Sequence, residues 1–473
     1  MRAVKRVIHW FRRDLRLADN AALHAARSGS SQVIPVFCLD TNILSRPDVG
    51  APRVWFLLES LRELERRISA RGGRLVVLRG KPEDELPRFA LAERAEAVFF
   101  NRDYEPYARR RDEAVTARLE AAGVQVRCFG DLLLAEPESV LTADGRPYSV
   151  FTPFYRAWLA LPKAEPFPEV QDFGGPSAAP GPGVPSLEET GFALPPEFDI
   201  AAWRPGEEAA LRRLRAFVED GAASYEHRRD LPSVDGTSRL SPYLKFGNIS
   251  IRRVYRETAS FPKFVSELAW REFYFHVLWH WPEVEHCAWQ PGKRDLLWDD
   301  DPARLEAWKA GLTGYPIVDA GMRQLLAEGW MHNRVRMIVA SFLTKDLHIN
   351  WQEGERHFML RLVDGDLAPN NGGWQWAAGT GVDPRPIRIF NPWLQSRRYD
   401  PAGAYIRRWV PELAGVPPEH IHEPHLMTVD EQRRSGCIIG KDYPAPIVDH
   451  RIERQVALER YRAARERSQR SLF

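Results

Sequence analysis

Val7-Ile8-His9-Trp10-Phe11 and Gln32-Val33-Ile34-Pro35-Val36-Phe37-Cys38-Leu39 are short apolar runs, separated by Asp19-Asn20 and the Ala-rich stretch Ala21–Arg27. The runs read as buried strands, and Asp19-Asn20 offers an N-cap for a helix between them. The same alternation continues outward. Arg53–Ala70 places Val54, Leu57, Leu58, Leu61, Leu64 and Ile68 at helical spacing, with charges between them. Strand patterns at Leu75–Leu78, Ala97–Phe100 and Val124–Phe129 alternate with helical patterns at Glu83–Arg94 and Tyr107–Ala122. Such a βαβα series predicts a doubly wound parallel sheet covered on both faces. Neither G-x-G-x-x-G nor G-x-x-x-x-G-K occurs in it, so the usual dinucleotide and P-loop readings have no support.

Beyond this unit the character changes. Residues 161–200 hold nine prolines, among them Pro162, Pro166, Pro168, Pro180 and Pro182, and the run Gly174-Gly175-Pro176-Ser177. Proline fixes φ and removes the N–H donor, so this is a long irregular connector and a domain boundary. From about Trp203 the patterns are nearly all helical, which predicts an α/β unit over 1–135, a connector over 136–204 and a helical domain over 205–473. A length of 473 residues suits two domains. An apolar fraction of 44% with 27% charged residues describes a globular chain without an apolar run long enough to span a membrane. Arg12, Arg13 and Asp14 interrupt the apolar stretch after the basic N-terminus, which argues against a signal peptide. Cys38, Cys128, Cys287 and Cys437 are far apart and form no C-x-x-C pair, as in a reducing compartment; a cytoplasmic monomer is expected. A net charge of +2 announces no nucleic-acid binder by itself, so any DNA-binding face must come from local clustering. The tail, Arg451–Phe473, carries seven Arg against three Glu and reads as a solvated helix face or a phosphate-facing one.

Four segments of the helical part have unusual composition. Gly236-Thr237-Ser238-Arg239-Leu240-Ser241, preceded by Tyr225, brings three hydroxyls beside a glycine where a helical pattern opens, suited to an anion; alone, such a segment is more often just an N-cap. In Glu267-Leu268-Ala269-Trp270-Arg271, the carboxylate, indole and guanidinium of Glu267, Trp270 and Arg271 share one helical face. In Trp330–Met337, Asn333 and Met337 share a face while Arg334 and Arg336 point elsewhere. Asp364-Gly365-Asp366-Leu367-Ala368-Pro369-Asn370-Asn371-Gly372-Gly373-Trp374-Gln375-Trp376 reads as a polar, Gly-rich turn feeding a Trp-x-Trp pair. Ala368 and Pro369 stand where a calcium loop needs a carboxylate or amide and a glycine, so calcium is set aside and no metal is expected.

Together these segments resemble the FAD-binding domain of the photolyase/cryptochrome family. The resemblance begins at Trp10-Phe11-Arg12-Arg13-Asp14-Leu15-Arg16, takes in Gly314–Ala320 and Arg388-Ile389-Phe390-Asn391-Pro392, and runs to Tyr443–Val448. It is strongest to class I cyclobutane pyrimidine dimer photolyases of deazaflavin-antenna type. It implies a light-driven carbon–carbon lyase that uses FAD to repair UV-damaged DNA, with a blue-light-sensing cryptochrome as the alternative. By resemblance Tyr225, Thr237, Ser238, Leu240 and Ser241 hold the FAD diphosphate and its surroundings. Arg336 and Asp364 form the ion pair flanking the isoalloxazine, Asp366 faces its pyrimidine edge, and Asn370 lies beside N5, where plant cryptochromes resemble this pattern with Asp. Trp374, Trp351 and Trp298 match an electron-hopping chain. Trp270 and Trp376 line the lesion site, Glu267 and Asn333 bond the polar edges of the dimer, Met337 packs against it, and Arg229 and Arg334 contact phosphates. No His stands at Asn333 or Met337, where (6-4) enzymes carry a pair.

The same resemblance implies a second chromophore. Folate-using relatives carry Glu at the position of Ala108, whereas Asp103, Lys245 and Arg53, with the Phe37-Cys38 strand end, resemble the pocket of deazaflavin users. An 8-hydroxy-5-deazaflavin is expected, with FMN or no second chromophore as alternatives.

Overall fold

The computed structural model describes residues 4–176, 183–382 and 387–470. Of the connector residues named above, Ser177, Pro180 and Pro182 lie outside the described residues.

Strands β1 (Val4–Phe11), β2 (Ser30–Asp40), β3 (Val76–Gly80), β4 (Ala97–Asn101) and β5 (Gln125–Phe129) form one sheet in the order β3-β2-β1-β4-β5, every neighbouring pair parallel. Helices α1 (Ala21–Gly29), α2 (Ala51–Ser69), α3 (Pro82–Ala92) and α4 (Pro106–Ala121) alternate with the strands, as the apolar periodicity predicts. The inner strands are apolar on both faces because helices cover both; all five residues of β4 are buried. Asn20 caps α1, its side chain accepting from Leu23 N, while Asp19 turns away with φ 51° and pairs with Arg252 at 2.9 Å.

The described part of the proline-rich stretch after the sheet is seated on it. Val170 and Phe173 are buried in the core of the sheet domain, and Val33 N donates to the Phe173 carbonyl at 2.9 Å. It also carries α5 (Phe151–Ala160). The remainder is helical; five of its helices matter most here: α6 (Pro262–His280), α7 (Asn333–Lys345), α8 (Trp351–Arg361), α9 (Leu367–Ala378) and α10 (His450–Arg470). The basic tail is α10, docked through buried Ala457, Tyr461 and Ala464. No described helix is long and apolar enough to cross a membrane.

One expectation fails here. Asp364–Gly373 reads in sequence as a turn, yet Leu367 onward is helix. Pro369 falls in the first turn, where an N–H has no intrahelical acceptor to lose. Gly372 is there for contact: a Cβ on it would stand 2.0 Å from the Tyr274 ring, so glycine lets α9 close on α6.

Candidate active site

A cavity of about 690 Å³ opens among α6, the start of α7, α9 and the loop 236–241. Tyr225, Thr237, Ser238, Leu240 and Ser241 line it together with Arg336, Asp364, Asp366, Asn370 and Trp374. Arg229, Glu267, Trp270, Asn333, Met337 and Trp376 line it too. Neither Thr237 nor Ser238 caps the short helix Ser241–Phe246, whose N-cap makes no side-chain bond, so those hydroxyls remain for the cavity. Arg239, next along the loop, has φ 49° and is locked by Glu328 at 2.6 Å, a left-handed conformation that the surrounding loop must hold in place.

Arg336 corrects the face reading. It lines the cavity despite its spacing from Asn333 and Met337, because the cavity wraps around the start of α7 rather than touching one stripe. Its Nη2 donates to both oxygens of Asp364 at 2.9 and 3.1 Å, and Nε donates to the Met331 carbonyl. Asp366 takes Arg13 at 2.6 Å and Lys245 at 3.3 Å. Burial works against its ionisation, but Arg13, then Lys245 and Arg271, outweigh burial and hold the carboxyl below its ordinary value. Asn370 donates from Nδ2 to the Glu355 carbonyl at 3.1 Å. A carbonyl only accepts, so this bond assigns the amide and leaves Oδ1 for the cavity.

Trp374 is 2% exposed and lies on Gly354 of α8, three residues from buried Trp351. A Cβ on Gly354 would stand 2.1, 2.5 and 2.6 Å from three of its ring carbons. Gly354→Ala is therefore expected to displace the indole and lower stability by about 1–3 kcal/mol, read as a drop in thermal midpoint with altered tryptophan emission. Trp298 packs on the same apolar cluster as Trp374 and Trp351 but is half-exposed, so the three grade from cavity to surface.

At the mouth, Arg229 pairs with Glu267, and Arg334, outside the cavity lining, pairs with Asp230 at 3.0 Å. Asn333 Nδ2 lies 3.9 Å from Met337 Sδ, as their spacing predicts. The sequence reading missed Phe151, Lys263 and Tyr274 in this wall. Phe151, Phe154, Tyr155 and Trp158 repeat at helical spacing, a signal lost among the prolines that follow. Arg271, noted in sequence for its face, lines the cavity with Nη2 buried and unpartnered; Trp374 Nε1 is likewise buried without a partner.

The five residues expected around a second chromophore do not line this cavity. Phe37 and Cys38 lie near the C-terminal end of β2, with Cys38 Sγ 3.7 Å from the Gly80 carbonyl. Asp103 meets Arg13 at 3.4 Å, Arg53 donates to the Gly365 carbonyl at 3.1 Å, and Lys245 meets Asp366. Three of the five thus sit on the seam between sheet domain and helices, against the segment that backs the cavity.

Comparison with known proteins agrees with this layout. The family model described as DNA photolyase matches residues 7–171, and that described as the FAD binding domain of DNA photolyase matches residues 264–463. The chain is 44% identical over 473 aligned positions to the deoxyribodipyrimidine photo-lyase of Synechococcus sp., covering 95% of each. It is similar to a bacterial class III photolyase from Agrobacterium tumefaciens, with a TM-score of 0.92 and 40% identity over 98% of each chain. An archaeal photolyase from Sulfolobus tokodaii, described with two FAD molecules, gives a TM-score of 0.85 and 35% identity over 97% of this chain and 100% of that one.

Proposed function

We propose a function for this chain, which belongs to the photolyase/cryptochrome family: light-dependent repair of cyclobutane pyrimidine dimers in DNA, with FAD as cofactor. One observation carries the reading. A single cavity joins the hydroxyl-rich loop 237–241 to the indoles of Trp270 and Trp376, so cofactor and lesion share one enclosure.

The residues present fit FAD. Thr237, Ser238 and Ser241 supply hydroxyl donors for a diphosphate, with Tyr225 and Leu240 beside them. The unpartnered Arg271 Nη2 and Trp374 Nε1 are donors awaiting acceptors. When bound and reduced, FAD supplies on blue-light excitation the electron that opens the cyclobutane ring and takes it back. The Arg336–Asp364 pair would flank the isoalloxazine, ionised Asp366 would accept at its pyrimidine edge, and Asn370 would offer Oδ1 on the N5 side. Trp374, Trp351 and Trp298 relay electrons inward from the surface.

Trp270 and Trp376 stack on the extruded lesion, a contact worth about 1–3 kcal/mol per base. Glu267 and Asn333 bond its polar edges and Met337 packs against it. Base extrusion, of which photolyases are a standing example, costs less at a damaged step and so favours the lesion. Arg229 and Arg334 turn to phosphates; a phosphate competing for Arg229 frees Glu267 for the dimer. Binding then weakens with salt.

Around Phe37, Cys38, Arg53, Asp103 and Lys245 we place a second chromophore, 8-hydroxy-5-deazaflavin ahead of FMN or none; buried Ala108 offers no hydrogen bond to a folate. The functional units are taken as 1–135, 136–204 and 205–473, in a cytoplasmic monomer.

The test is incubation of reduced protein with an oligonucleotide carrying one thymine dimer, under blue light and in darkness. Repair is expected only in the light. Binding without repair would indicate a light sensor, and neither would mean the cavity has been misread.

A further inference from the structure

Trp270 has a companion on its wall of the cavity. Phe151, the first residue of α5, lies face to face on the indole, with ring centroids 3.7 Å apart and planes 8° from parallel. Tyr155, one turn on, continues the stack at 5.6 Å and 10°. Phe151 and Trp270 both line the cavity, and both are half-buried. Rings this close admit nothing between them. One face of Trp270 is therefore filled by the chain itself, and only its other face and edge can meet a ligand.

The stack is anchored from behind. Phe154 packs on Phe273 at 5.1 Å, and Trp158 Nε1 donates to Glu272 at 2.6 Å. The same carboxylate accepts from Leu134 N at 2.5 Å and Ala135 N at 3.2 Å. Trp158 thus ties α5 to the buried Glu272 of α6, and the Phe154–Phe273 contact adds a second tie, which holds Phe151 on the indole. An indole at the wall of a cavity of about 690 Å³ otherwise has rotamers to choose among, and ordering it on binding weakens affinity. Phe151 removes that freedom beforehand.

We infer that Phe151 is a positioning residue for lesion recognition, holding the Trp270 indole in the plane against which the extruded dimer packs. The inference rests on the reading that Trp270 meets the lesion. It gives the segment between the sheet domain and the helical part a share in specificity.

The test uses FAD-loaded protein and measures binding in darkness to oligonucleotides with and without one thymine dimer. Phe151→Ala is expected to raise the dimer Kd about twofold to tenfold, the value of one aromatic pair. Affinity for undamaged DNA, flavin absorbance and the repair rate at saturating lesion should not change. Phe151→Tyr should restore the parent Kd, and Phe151→Leu, which keeps apolar bulk without a ring, should behave as Phe151→Ala. An unchanged dimer Kd overturns the inference, as does an equal loss for undamaged DNA or a loss of bound flavin. Trp270→Ala separates the two levels. If it weakens dimer binding while Phe151→Ala does not, only this inference falls; if neither matters, the lesion-site reading falls with it.

Discussion

Trp374→Phe protein is expected to lose light-driven reduction of its flavin while still repairing dimers once reduced chemically. Trp374 lines the cavity and lies against Phe358 at 5.0 Å, and a benzene ring can keep part of that packing, although the outer ring carbons seated on Gly354 are lost. Its Nε1 has no partner in the chain, so removing it orphans no acceptor there, and the stability cost is that of the buried ring carbons deleted above Gly354. What is lost is an easily oxidised indole beside the cofactor. The repair cycle returns its own electron and needs no relay, whereas refilling an oxidised flavin does. Trp308, 6.1 Å from Trp374, is a rival second step, but it is fully buried, whereas the proposed chain ends at half-exposed Trp298. Trp308→Phe is thus the control that should still photoreduce. Flavin bleaching under blue light with an external reductant, followed by a repair assay after dithionite, reads both halves. A parental bleaching rate in Trp374→Phe would remove this residue from the relay.

What the sequence made legible follows from which forces are local. Strands of a parallel sheet are buried on both faces, so β2 and β4 appear as unbroken apolar runs and their ends can be read to within a residue or two. Helical spacing brought Glu267 to Trp270 and Asn333 to Met337, and the cavity contains all four. Spacing failed where a site is larger than one stripe, as at Arg336, and where glycine serves close packing rather than a turn, as at Gly372. It also failed for Phe151, whose aromatic periodicity stands just before a proline-rich stretch. The roles of individual residues came from resemblance, because chemistry such as electron relay leaves no periodic trace. Least legible of all was Arg13 on Asp366, a contact between residues 353 apart in the chain.

That contact sets the second large effect. Asp366→Ala should destabilise the protein by about 3–5 kcal/mol, the usual cost of removing one partner from a buried ion pair. The carboxylate is 6% exposed and accepts from Arg13 of the sheet domain and Lys245 of the helical part, each 14% exposed. Without it, two cations remain in the seam; Arg13 keeps Glu105 at 2.9 Å, but Lys245 is left with Glu105 only at 3.7 Å. Burial, with the neighbouring Arg13, already lowers the Lys245 value, so losing its closest anion pushes this amine further toward the neutral form. The pH dependence has a definite sign. Asp366 ionises more readily folded than unfolded, so its contribution is complete above the unfolded value of about 3.9 and is lost as pH falls through the folded one. The gap in unfolding free energy between parent and Asp366→Ala should therefore not shrink between pH 7 and pH 5, and the Asp366 contribution to it should be lost only below about pH 4. Urea titrations at those pH values measure it. A gap that shrank between pH 7 and pH 5 would mean that Asp366 titrates there and is not held as an anion by Arg13. Because Asp366 also lines the cavity, the same variant should release FAD more readily than the parent.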